Sequence, residues 1–150
     1  MIELREIALG SAEHEAALRL REVVLRAPLG LTWTETDHMD EPLCAHLAAF
    51  DNGTLVAVLL LKPLDAKTMK MRQVAVAPER HGQSIGAKLV AFAEEFARAR
   101  GGRRIIAHAR GTALGFYRKL GYTTEGGEFL ENTIPHQLVS KELPAPGFAS

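Results

Sequence analysis

At 150 residues the chain is sized for one domain with a buried core. Lysine plus arginine equal aspartate plus glutamate at 18 each, so no charge excess points to nucleic acid or a membrane surface. The longest apolar run, Leu55 to Leu61, is strand-sized and far short of a membrane span.

The single cysteine, Cys44, excludes an internal disulfide and leaves too few ligands for a zinc site, so no metal is expected. Cys44 itself is expected to be a small buried hydrophobe. The first residues lack a basic-then-apolar signal pattern, which makes a soluble cytoplasmic compartment the default expectation.

Residues Ile2 to Ile7 alternate apolar and charged side chains, the mark of a half-buried strand. Ser11 is a good N-cap, and Ala16, Ala17, Leu20, Val23, Val24 and Ala27 follow at helical spacing, with Pro28 and Gly30 as stops. Leu31 to Pro42 has no clean period and reads as a loop with a short helical turn. Leu43 to Phe50 and Thr54 to Lys62 are strands joined through Asp51-Asn52-Gly53, where Asn-Gly suits a tight hairpin. A third strand runs from Lys67 to Ala77 and stops at Pro78. A helix starts near Ile85, with Ile85, Leu89, Phe92, Ala93 and Phe96 expected on one buried face, and ends at Gly101-Gly102. Arg103 to Ala109 is the next strand, and strand–helix–strand predicts parallel pairing. Gly111 and Thr112 open a short helix whose face carries Ala113, Phe116, Tyr117 and Leu120, capped by Gly121. Tyr122 to Leu130 and Ile134 to Leu143 are two final strands, and residues 144–150 form a tail. The order predicts a single α/β domain over 1–143, with a mixed sheet flanked by helices on both faces.

The stretch from Met71 to Phe96 organises this layout. Strand, glycine-containing turn and helix N-terminus collect unpaired backbone N–H groups and the positive end of the helix dipole at one point. That predicts a phosphate-bearing ligand held mainly by backbone. The turn is not a P-loop, because Gly86 is followed by Ala87, and not a dinucleotide fingerprint, because Gly82 and Gly86 are its only glycines.

The segment resembles the acetyl-CoA signature of the GNAT family of N-acetyltransferases, Q/R-x-x-G-x-G/A after a strand ending V-x-P. The matching residues are His81, Gly82, Gln83, Ser84, Ile85 and Gly86, with Ala87 following; His81 replaces Gln/Arg, and Ser84 replaces the first glycine. If the turn needs a positive φ at Ser84, serine costs roughly 1 kcal/mol. If it needs only a small side chain, the hydroxyl adds a bond to phosphate. GFYRKLGY, Gly115 to Tyr122, is similar to the family's A-x-x-F-Y-x-x-x-G-F/Y segment, and the element order is also the family's. The resemblance implies acetyl-CoA as co-substrate, with the backbone of Val74, Ala75 and Val76 pairing with pantetheine, Thr112 where an asparagine usually sits, and Phe116 and Tyr117 beside the cofactor. It implies that Tyr117 protonates the departing thiolate, although spacing alone would make Phe116, Tyr117 and Leu120 core.

An amine must be neutral to attack, so a base is expected, acting directly or through water. Some members of the family use a glutamate on the central strand, but Ala66 to Ala77 has no carboxylate. The candidates are His108, Glu131 and His136. A lone strand histidine such as His108 is more commonly structural. Glu131 and His136 belong to LENTIPHQLV, similar to an E-x-G-I-P-H stretch of a small bacterial GNAT subgroup related to the ElaA proteins. Trp33, Glu35, Asp37 and His38 lie where the family faces its acceptor, though for any one of them a place in a solvated acidic loop is the commoner reading. The expectation is transfer of acetyl to a primary amine on a small molecule or a peptide, with no nucleic acid or membrane partner. The rivals are a non-catalytic acyl-CoA-binding module and a peptide-directed acetyltransferase. The final strands are a dimer surface in many members, which keeps a homodimer open.

Overall fold

A computed structural model describes residues 1–26, 41–131 and 133–144. Among the described residues, seven strands, numbered β1 to β7 in chain order, are hydrogen-bonded in the order β1-β2-β3-β4-β5-β7-β6, giving a mixed sheet with helices in the connections. The chain divides into two compact units, residues 1–62 with 72–93, and residues 63–71 with 94–150.

In the first unit, β1 (Ile2–Ile7) pairs antiparallel with β2 (Ala45–Asp51), which pairs with β3 (Thr54–Pro63). Asn52 and Gly53 take φ of 50° and 85°, the two left-handed residues the hairpin demands. Helix α1 (Ala12–Arg21) starts where Ser11 accepts from the His14 amide, as expected of a serine cap. Ile7, Ala17, Ala48, Phe50, Val58 and Ala75 form a core cluster, with Leu20, Val24 and Leu25 packed on it.

The helix face departs from the expected one. Its buried stripe is His14, Ala17 and Arg21, and Val23 is 56% exposed. The chain turns π-helical over Glu22–Arg26, and the wider turn shifts the phase of residues beyond Arg21. Ala27, Pro28 and Gly30 lie outside the described residues. Leu43 is exposed, and β2 starts only at Ala45, because Glu41–Leu43 form a 3-10 turn around Pro42. Cys44 is half-exposed rather than buried, at the edge of a shallow depression of about 390 Å³ lined also by Glu6, Leu9 and His46.

Strand β4 (Thr68–Val76) supplies its second half to the first unit and its first half to the second. Helix α2 (Ile85–Ala99) buries Ile85, Leu89, Val90, Ala93 and Ala97, whereas Phe92 and Phe96 are only half-buried. The stripe therefore runs through the aliphatic residues, and the Phe96 ring is covered by the Arg100 guanidinium at 3.4 Å.

In the second unit, the first half of β4 pairs parallel with β5 (Arg104–Arg110), the expected β-α-β pairing. β5 pairs antiparallel with β7 (Ile134–Glu142), which pairs with β6 (Thr123–Glu131). Ile105, Ala107 and Ala109 are buried, which leaves Ile106, His108 and Arg110 together on the other face. Helix α3 (Leu114–Lys119) ends at Gly121, whose φ is +95° and whose N–H reaches Arg118, while the Tyr122 N–H reaches Tyr117. No described helix is long and apolar enough to cross a membrane.

Candidate active site

In the first unit, β4 leads through Ala77 into a 3-10 turn, Pro78–Arg80, and then into His81 to Ser84. Arg80 is tied to Asp51, whose carboxyl is held below its usual range by hydrogen bonds from Arg80 and the N-terminal amine. That ion pair anchors the turn to the end of the β2–β3 hairpin. Gly82 has φ +85° and Ser84 has φ +62°, so two left-handed residues reverse the chain before α2 begins. The turn does require positive φ at Ser84, and serine is strained there. Ser84 contributes its carbonyl to α2 by accepting from the Lys88 amide at 3.1 Å. His81, Gly82, Gln83 and Ser84 are exposed, while Ile85 and Gly86 are buried and Ala87 is half-buried. The His81 ring hydrogen-bonds at 3.2 Å to the Val76 carbonyl, so in this structure its Nε2 proton is donated to strand β4.

The β4–β5 ladder covers only Thr68–Met71 against Arg104–Ala107, and β4 continues beyond it through Val74, Ala75 and Val76. Gln73 lies at the start of that extension with φ +56°, a left-handed residue inside a strand that the sequence does not announce.

In the second unit, Gly111–Ala113 make a 3-10 turn that places exposed Thr112 between β5 and α3. Tyr117 is the buried residue of α3, and Phe116 packs edge-on to it at 5.2 Å. Burial pushes the Tyr117 phenol up to about 12, so it holds its proton at neutral pH, as an acid must. Tyr122 packs on Tyr117 at 5.5 Å and donates to Glu94, which also accepts from Lys141 at 3.0 Å; Lys141 donates in turn to the Leu120 carbonyl. This network holds the C-terminal end of α3. It went unforeseen because its members lie on α2, β7 and the α3–β6 turn, far apart in sequence.

The three base candidates come together. His108 Nδ1 is 3.0 Å from Glu131 Oε1, and His136 Nε2 is 3.6 Å from Glu131 Oε2. The Phe129 ring lies between the two imidazoles, edge-on to His108 at 4.8 Å and stacked with His136 at 6.1 Å. Burial works to raise the Glu131 carboxyl, but the hydrogen bond from His108, with smaller electrostatic contributions from its neighbours, outweighs it and holds the group below its usual range. Trp33, Glu35, Asp37 and His38 lie outside the described residues.

A second polar cluster lies in the first unit and was missed. Arg21 clasps Glu41 through two bonds of 3.2 and 2.7 Å, with both side chains almost wholly buried. His14 accepts from the Gly10 amide at Nδ1, which places its own proton on Nε2, 3.3 Å from Glu41 Oε1. His46 donates from Nε2 to the Glu41 carbonyl at 2.9 Å. Ligand atoms of His14, Glu41 and His46 lie within 4.8 Å of one another, a spacing that suits a metal. Here, however, the cation beside Glu41 is Arg21, and the proton on His14 Nε2 turns that nitrogen into a donor. One sign was available in the sequence: His14, Ala17 and Arg21 are spaced i, i+3, i+7 on α1, the same interval as an apolar stripe.

The family model described as "Acetyltransferase (GNAT) family" matches residues 9–122. YyaT of Bacillus subtilis, an uncharacterised protein, is 26% identical over 144 residues, covering 95% of this chain and 97% of YyaT. The crystal structure of Escherichia coli ElaA superposes with a TM-score of 0.81 at 21% identity, covering 95% of this chain and all of ElaA. An aminoglycoside 6′-N-acetyltransferase complexed with coenzyme A superposes at 0.79 with 19% identity, covering 96% of this chain and 99% of that enzyme. The chain belongs to the GNAT acetyltransferase family and is an acyltransferase whose chemistry is acetyl-CoA-dependent acyl transfer.

Proposed function

We propose that this protein moves acetyl from acetyl-CoA to a primary amine by direct attack of the amine on the thioester. The observation that carries this reading is the turn from Gly82 to Ser84, left-handed at both of those residues and running straight into α2. Such a turn directs backbone N–H groups and a helix dipole at one anion, and the pyrophosphate of CoA is that anion. Backbone of Gly82 to Ala87 holds the phosphates, and the extended part of β4, Val74 to Val76, pairs with the pantetheine arm as an added strand. Attack forms a tetrahedral adduct whose oxyanion takes a hydrogen bond from a backbone N–H of β4. The adduct collapses with the electron pair on sulfur, and Tyr117, protonated through its burial, gives its proton to the thiolate.

Calorimetric titration with acetyl-CoA and with CoA, followed by a thiol-release assay over a panel of alkylamines, a diamine and lysine peptides, tests the reading. Binding with thiol release on any amine supports it, and preferential release on peptides makes the acceptor a protein. Binding without release across the panel replaces it with an acyl-CoA-binding module. Absence of binding overturns the assignment of the Gly82–Ala87 turn.

A further inference from the structure

The face of the sheet opposite Ile105, Ala107 and Ala109 has one feature that none of the roles above uses. β5 places Arg110 opposite His136 of β7, and β7 places His136 opposite Phe129 of β6, so His108, His136, Phe129 and Glu131 share that face. The hydrogen bonds there determine which atoms hold protons. His136 Nδ1 is 2.8 Å from the Ile134 carbonyl, and a carbonyl only accepts, so Nδ1 carries the proton of the neutral ring. Nε2 is then a lone pair. It faces Glu131 Oε2 at 3.6 Å, which is also an acceptor. The other carboxylate oxygen, Oε1, already accepts from His108 at 3.0 Å.

Two acceptors, one anionic and one neutral, therefore converge on one point. A group that satisfies both must carry at least two N–H donors and is favoured by a positive charge. A primary ammonium has three N–H donors and one charge. Glu131 is 42% exposed, which gives such a group access from solvent, while His136 at 6% is fixed beneath it. Phe129 packs against both imidazoles and prevents either from turning away.

We propose that Glu131 and His136 are the subsite that binds and deprotonates the acceptor's ammonium group, with His108 as the positioning residue for Glu131. The inference rests on the acetyl-transfer reading above and specifies its acceptor as a cationic primary amine. Glu131 Oε2 and His136 Nε2 each accept an N–H from the ammonium. One N–H bond then breaks, its electron pair stays on nitrogen, and the proton bonds to His136 Nε2. The resulting imidazolium faces Glu131 Oε2, which stabilises it as a carboxylate does in a catalytic triad. The freed lone pair forms the C–N bond, and the C–S bond breaks toward sulfur. Tyr117 gives its proton to sulfur, and the adduct nitrogen's second proton passes through solvent to restore it, while the His136 imidazolium returns the first proton to solvent, so a single proton is released per acetyl moved. The charged groups around His136 are Glu131 on β6, His108 and Arg110 on β5, and Lys70 on β4, which acts on Glu131.

Three variants test this in the full-length protein with acetyl-CoA and the amine of the panel that releases most thiol. His136→Asn keeps a donor near the Nδ1 position for the Ile134 carbonyl and removes the Nε2 lone pair. It is expected to lower kcat/KM about 100-fold at neutral pH. The deficit should shrink as pH rises toward about 10, where the free amine loses its proton unaided. A merely structural role would not produce that recovery. Glu131→Gln should raise KM for the amine about tenfold with a smaller effect on kcat. His108→Asn should raise the same KM by less, with acetyl-CoA affinity unchanged in all three. The proposal is overturned if His136→Asn retains wild-type kcat/KM, if its deficit is the same at every pH, or if Glu131→Gln leaves KM where it was. Wild-type protein that releases no thiol with any amine removes the acetyl-transfer reading itself, a separate outcome.

Discussion

Breaking the Arg21–Glu41 pair should destabilise the fold more than any surface charge removal. Both side chains are almost wholly buried, and the contact is a two-bond clasp of 3.2 and 2.7 Å with His14 on the same carboxylate. Glu41→Gln leaves a buried guanidinium beside a neutral amide, and Arg21→Met takes away the guanidinium that clasps the buried Glu41 carboxylate. Removing one partner of a buried pair costs about 3–5 kcal/mol, because the survivor's desolvation is no longer offset. Unfolding entropy is about 2.1 cal/mol/K per residue, or about 0.3 kcal/mol/K over this chain, so a loss of about 4 kcal/mol lowers Tm by about 13 °C. The assay is thermal unfolding followed by circular dichroism at neutral pH for both single variants and for Arg21→Met/Glu41→Leu. The double variant should lose clearly less than the sum of the singles, since an apolar pair of similar volume carries no desolvation penalty. A fall below about 3 °C in either single variant would refute the reasoning, as would strict additivity in the double.

Three further outcomes follow from other sites. Tyr117→Phe should cut kcat by about 100-fold or more while leaving acetyl-CoA affinity nearly unchanged in calorimetry, and unchanged turnover would remove Tyr117 as the acid. Because burial lifts that phenol to about 12, Tyr117 stays protonated through the working range, and its deprotonation should add no basic limb to the rate profile below about pH 10. His46 is lowered from 6.5, chiefly by burial, so the folded protein resists a proton that the unfolded chain accepts as pH falls past that value. Its contribution to stability is complete above the unfolded value and is lost as pH falls toward the folded one. His46→Gln should therefore flatten the fall of Tm between about pH 7 and 5. Ser84→Gly relieves a left-handed serine at φ +62°, but glycine adds unfolded-state entropy. The net expectation is a Tm change of about 0 to +3 °C with acetyl-CoA affinity kept or improved. Loss of affinity would show that the serine hydroxyl itself binds phosphate.

The stretch proposed to hold phosphate was legible as local structure. It is one continuous stretch, and its strand, glycine and helix start each follow from neighbouring residue types. The hairpin at Asn52-Gly53 and the α3 cap at Gly121 were read for the same reason: a positive φ narrows the choice of residue. Gln73 and Ser84 adopt positive φ without a glycine, so no residue type announced them. Period errors arose where geometry changed, as at Val23 within the π-turn, or where aliphatic side chains rather than the phenylalanines took the buried stripe, as on α2.

By itself the sequence determined the order of elements, the alternation that buries one face of β5, and the strand–turn–helix over Met71 to Phe96, since each depends on residues within a few positions of one another. Only the tertiary structure decided the pairing of partners far apart along the chain. Arg21 meets Glu41 across 20 residues, His108 meets Glu131 across 23, and Lys141 meets Glu94 across 47. Charge and hydrogen-bonding capacity are visible in a list of residues. Which acceptor a given proton faces is determined by strand register and side-chain direction, and it is these that bring two histidines and a glutamate into one cluster.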